Sequence, residues 1–137
     1  MRQLIAIGLA LSVLSAPARA AAPDKAVELA RLAGSYTAEY YARNTQVPAD
    51  KETLKTLTLE VKNGEWIQNF RGDTAVYTIA LEPTADVDLL TLKHKMVKAV
   101  RNCTYELKAD TLTVTEQLGE PGEFIVTVWK RKPKTVE

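Results

Sequence analysis

From Gly34 onward, apolar side chains recur at every second position, in paired runs separated by turn residues. The clearest pair is Leu57-Thr58-Leu59-Glu60-Val61, then Asn63-Gly64, then Trp66-Ile67-Gln68-Asn69-Phe70. Asn-Gly suits a two-residue hairpin loop, because both central positions of its tight turn need φ > 0. With those residues as the loop, Val61 faces Trp66, Leu59 faces Gln68 and Leu57 faces Phe70. Five of the six are apolar, so one face of this hairpin is buried. A second pair is Cys103-Thr104-Tyr105-Glu106-Leu107 and Leu112-Thr113-Val114-Thr115-Glu116, joined at Ala109-Asp110. There Leu107 faces Leu112, Tyr105 faces Val114 and Cys103 faces Glu116.

The same rhythm yields eight candidate strands, over 35–42, 54–62, 65–71, 74–81, 87–93, 98–107, 111–118 and 123–131. Gly72-Asp73 and the stretch from Gly119 to Gly122 supply further turns. Pro83 and the acidic residues after it interrupt strands rather than extend one. The segment 93–101, KHKMVKAVR, also fits a short helical turn. Strands joined by short connections, with no helix between them, run antiparallel. Eight in a meander predict an all-β, up-and-down antiparallel β-barrel, since closure removes exposed edges. A two-sheet sandwich is the alternative. Ahead of the strands, Asp24 followed by KAVELARLAG predicts a short helix. Asp24 is its N-cap, Leu29, Leu32 and Ala33 share a face, and Gly34 stops it with φ > 0.

The first 20 residues differ from the rest: Arg2, an apolar run from Leu4 to Leu14, then Ala18-Arg19-Ala20. That pattern predicts a signal peptide over 1–20, and a single domain over 21–137 in a secreted or periplasmic protein. The apolar run is shorter than the roughly 20 residues of a membrane span, so no span is expected after cleavage. Without Arg2 and Arg19, 16 of the 18 basic residues remain against 17 acidic ones. A near-neutral chain offers no overall charge to attract nucleic acid or an anionic membrane. Cys103 is the only cysteine, so packing rather than an internal disulfide holds the fold.

Three stretches resemble a lipocalin-like family of secreted, uncharacterised planctomycete proteins. Leu32-Ala33-Gly34-Ser35-Tyr36 is similar to that family's Leu-x-Gly-Thr-Trp opening. The hairpin Tyr105-Glu106-Leu107-Lys108-Ala109-Asp110-Thr111-Leu112 resembles its Tyr-x-Leu-x-Gly-Asp-x-Leu, and Val128-Trp129-Lys130-Arg131 its last strand. Tyr36 stands where the family has Trp, and Ala109 where it has the turn Gly. The resemblance implies a barrel closed at one end by Arg131 lying on the Tyr36 ring. It implies no reaction.

Glu116 ends an otherwise apolar face, and Arg101 is its diagonal neighbour, at a separation of about 7–8 Å. The pair reads either as a polar anchor for a ligand head group at the barrel mouth or as a rim salt bridge. Gln68 lies among Leu57, Leu59, Val61, Trp66 and Phe70, where an amide must find hydrogen-bond partners. It would orient a guest, or bond Tyr77, a water or the backbone. The candidate ligand contacts are Gln68, Tyr105, Arg101, Glu116, Trp66 and Tyr77. His94, the only histidine, sits among Lys93, Lys95, Lys98 and Arg101. One histidine makes no His-rich metal site, and the run reads as a solvated face. Asp86 and Asp88 share a face but have no histidine to work with. No P-loop, dinucleotide fingerprint, zinc spacing or nucleophile elbow is present. The chain is therefore expected to be no enzyme and to need no cofactor or metal. Its expected role is to bind a small apolar or amphipathic ligand in the barrel. The alternative is a solid-core barrel acting as an interaction module in the envelope or outside the cell, with an unknown protein partner. A cavity above about 300 Å³ reached from one mouth separates the two.

Overall fold

The computed structural model describes residues 24–44, 46–84 and 87–133. The predicted signal segment over 1–20, and Asp86, lie outside the described residues. Helix α1 (Lys25–Leu32) precedes strand β1 (Gly34–Arg43) and helix α2 (Lys51–Lys55). Seven strands follow: β2 (Leu57–Lys62), β3 (Glu65–Phe70), β4 (Asp73–Pro83), β5 (Asp88–His94), β6 (Val100–Lys108), β7 (Thr111–Gln117) and β8 (Phe124–Arg131). Each strand pairs antiparallel with the next, and β8 pairs with β1, so the eight close into a barrel. The predicted registers hold at Val61–Trp66, Leu59–Gln68 and Leu57–Phe70, and at Leu107–Leu112, Tyr105–Val114 and Cys103–Glu116.

Alternation builds the core. Leu57, Leu59 and Val61 of β2, Leu90 and Leu92 of β5, and Cys103, Tyr105 and Leu107 of β6 all turn inward and join one buried cluster. Strand β1 breaks the rhythm once. A register shift between Ala38 and Tyr40 admits an extra residue, the usual effect of a β-bulge. Past it, Tyr41 packs on the core and Tyr40 is exposed.

Four local readings are corrected. Pro83 extends β4 rather than interrupting it, and pairs with Asp88 at the start of β5. The strand expected over 54–62 starts at Leu57, because Lys51–Lys55 is helical. Asp50 caps that helix, its Oδ1 accepting the Thr53 N–H at 2.8 Å. The β3–β4 turn is Arg71-Gly72 rather than Gly72-Asp73, with φ of 53° and 89°. In the segment 93–101, β5 runs to His94 and β6 starts at Val100, around a five-residue loop.

Helix α1 closes one end of the barrel. Asp24 caps it through the N–H groups of Ala26 and Val27, and Leu32 is fully buried. The Tyr36 hydroxyl donates to the Leu32 carbonyl at 2.6 Å. The Arg131 guanidinium lies 5.3 Å from the Tyr36 ring centre, and its Nη2 donates to the Arg31 carbonyl at 2.6 Å. Gly34, at φ 147°, makes room: a Cβ there would meet the Arg131 stem at 3.3 Å. No described helix is long and apolar enough to cross a membrane.

Candidate functional site at the α2 end of the barrel

The inward positions nearest the other end carry polar groups. Gln68 of β3, Tyr77 of β4, Arg101 of β6 and Glu116 of β7 converge there because each strand contributes one inward residue at that level. Arg101 Nη2 donates to Glu116 Oε1 at 2.9 Å, and Nη1 donates to Gln68 Oε1 at 3.2 Å. The same Gln68 oxygen accepts the Trp66 indole N–H at 3.0 Å. The Arg101 guanidinium also lies 5.2 Å from the Tyr77 ring centre, and Tyr77 meets His94 edge to face. Five of the six predicted contacts, Trp66, Gln68, Tyr77, Arg101 and Glu116, are thus one network.

Its electrostatics are set by partial burial. The Arg101 and Glu116 side chains are 21% and 14% exposed. Burial works against the Arg101 charge, but the hydrogen bond and charge of Glu116 outweigh it, so the guanidinium is held above its ordinary pKa. Cys103 sits beside the pair, and burial pushes its thiol up to about 12. A thiol so protonated is a poor nucleophile. Deeper in the barrel, Trp129 meets Trp66 edge to face at 6.4 Å. Its buried Nε1 has no hydrogen-bond partner among the described residues.

Tyr105, the sixth predicted contact, belongs to the α1 end. Its hydroxyl donates to Glu28 Oε2 at 2.6 Å, and Arg31 Nε holds Glu28 Oε1 at 2.8 Å. Burial first, then the bond to Glu28 and its charge, raise the Tyr105 pKa above its ordinary value. The buried carboxylate of Glu28 was not among the predicted contacts. Its spacing of four from Leu32 places it on the same helix face, and that was the available signal.

Two cavities lie outside the polar network. One, of about 310 Å³, is on the outer wall, lined by Thr104, Glu106, Thr113 and Thr115, with Val87, Asp88 and Tyr105. The other, of about 720 Å³, lies between α2 and β1 and is lined by Thr37, Ala38, Glu39, Lys51, Leu54 and Lys55. It forms where β1 runs past its last pairing with β2, Thr37–Thr58. Ala38 and Leu54 at its floor both touch the core cluster. Sequence reasoning missed this groove because it read the start of β2 through α2. The Asp50-x-x-Thr53 cap was the signal that marks a helix there.

Among the described residues, no group of three or more His, Cys, Asp or Glu is assembled to hold a metal ion. Comparison with family models, with curated proteins and with solved structures finds no match to the chain.

Proposed function

We propose that this chain is a non-enzymatic, lipocalin-like binding protein of the cell envelope or exterior. On this reading it takes a small amphipathic molecule at the α2 end of its barrel. The observation that carries the proposal is the Arg101–Gln68–Glu116 network, polar groups held inside an apolar wall and still partly open to solvent. Ligand sites use a few polar groups to orient a mainly apolar guest. Arg101 would engage the guest's polar or anionic group. A groove between α2 and β1, with Ala38 and Leu54 among its lining, lies beside this end and adds apolar surface there. The envelope location rests on the segment over 1–20.

The test is native mass spectrometry of protein purified from its own compartment, followed by titration with the molecule recovered. An Arg101→Met/Glu116→Leu double variant should remain folded, because replacing a buried ion pair by apolar residues of similar volume is often neutral. It should lose the guest. Clean protein, together with no thermal shift from any amphiphile, overturns the proposal.

The packed core favours the second reading, a solid barrel that works through its outer surface. Unchanged guest-free behaviour in the double variant, with a partner captured on the outer wall around Thr113 and Thr115, would support it.

A further inference from the structure

We infer that the β5–β6 loop is a docking surface for an anionic lipid bilayer. The loop spans residues 95–99. Met96, Val97 and the adjacent Val100 are 84%, 59% and 55% exposed. A single exposed apolar residue is ordinary, but here two share one loop and a third, Val100, follows it at the start of β6. The tip is ordered. His94 Nδ1 accepts the N–H groups of Met96 at 3.0 Å and Val97 at 3.3 Å. The His94 N–H donates to the Ala99 carbonyl, and the Lys95 N–H to the Val76 carbonyl. The apolar side chains are therefore presented by a backbone already fixed, which lowers the entropy lost on docking.

Charge complements the tip. Lys93, Lys95 and Lys98 surround it. Lys95 is paired with Glu65, while neither Lys93 nor Lys98 has an ion-pair partner among the described residues. Apolar side chains with a basic collar match the boundary between anionic headgroups and acyl chains. The near-neutral charge of the whole chain does not weigh against this, because attraction to the surface falls off within a Debye length. Acidic Glu120 and Glu123 lie in the β7–β8 loop at the same end, so the hairpin tip docks rather than the whole rim. A soluble acidic partner held by the lysines alone would leave the exposed Met96 and Val97 unburied. Docking stands independently of any guest in the barrel.

The experiment is cosedimentation of the full-length domain with phosphatidylcholine vesicles, with and without about one third phosphatidylglycerol, at low and high salt. Binding should require the anionic lipid and weaken with salt. Met96→Ser/Val97→Ser should lower partitioning about tenfold. Lys93→Gln/Lys98→Gln should lower it about fivefold for each lysine. These are exposed loop positions, and circular dichroism checks that both variants stay folded. No vesicle binding, or equal binding to neutral vesicles, overturns the inference. So does a lysine variant that loses binding while the Met96/Val97 variant keeps it, which would point to a soluble acidic partner.

Discussion

The two ends of the barrel are built from the same alternating strands and finished differently. At the α1 end the strand connections are two, four and two residues long; at the α2 end they are thirteen, two, five and six. The α1 end ties its polar groups to a docked helix: Tyr36 on the Leu32 carbonyl, Tyr105 on Glu28, and Arg131 Nη2 on the Arg31 carbonyl, with Arg131 Nε buried and without a partner among the described residues. At the α2 end Arg101, Gln68 and Glu116 satisfy one another and keep some exposure. A polar group locked by a helix serves closure. One locked only by its neighbours can exchange a partner for a ligand. Long loops on a rigid wall are also where binding residues concentrate.

The largest test of this contrast is a pair of truncations. Leu32→Ala, at a fully buried site under α1, should lower unfolding free energy by about 2–5 kcal/mol. Leu54→Ala in α2, only partly buried, should lower it by about 1–2 kcal/mol. Urea denaturation measures both, and equal losses would erase the distinction between plug and cover. Next in size is Tyr105→Phe, which removes the hydroxyl from buried Glu28. Leaving that carboxylate one donor short should cost about 1–3 kcal/mol. A loss near zero would mean that the remaining partners of Glu28, Arg31 among them, satisfy it without the hydroxyl.

How much of this was legible in the sequence differs between the ends. Period-two alternation, with Asn63-Gly64 and Ala109-Asp110 as anchors, gives the strand count and the β2–β3 and β6–β7 registers. The diagonal from Glu116 to Arg101 follows from register alone. Tyr105 was placed on the correct face but not at the correct end. Alternation tells in from out, whereas height along the barrel depends on strand stagger and on where a helix docks. Helix α2 was hidden because Leu54 and Leu57 also fit a strand run, and five residues are too few for a helical period to show. In sequence, His94 reads only as part of a solvated basic run. Its role in ordering the Met96-Val97 backbone depends on loop geometry that no short pattern encodes.

Alkaline titration probes the ends through different groups. Burial raises the pKa of Tyr36, with the Arg131 hydrogen bond opposing it, and raises that of Tyr105 as well. It pushes Cys103 up to about 12 from 9.0. All three are raised in the folded state, so their contribution is fully present below the unfolded pKa values. It is lost as pH rises through the folded ones. Stability should therefore fall from about pH 9 upward, by at most about 1.4 kcal/mol per pH unit for each group. Cys103→Ser should remove the part that begins near pH 9 and leave the tyrosine part. A native thiol that reacts with a disulfide reagent at pH 8 as fast as the unfolded chain would contradict the burial of Cys103.

The smallest effect compares one turn from each end. Ala109, in the β6–β7 turn at the α1 end, has φ 54°, and Arg71, in the β3–β4 turn at the α2 end, has φ 53°. A side chain in the left-handed region costs about 1–2 kcal/mol. Glycine relieves that strain but widens the unfolded ensemble, which returns about 0.4–1 kcal/mol. Ala109 has no other task, so Ala109→Gly should raise stability by about 0.5 kcal/mol. Arg71 has one: its guanidinium lies 5.1 Å from the Phe70 ring centre, a contact worth about 0.5–1 kcal/mol where exposed. Arg71→Gly should therefore gain nothing or lose slightly. Opposite signs from two turns of nearly equal φ would assign the Arg71 strain to a ring it holds down at the mouth. Equal gains would show that the cation over Phe70 contributes nothing.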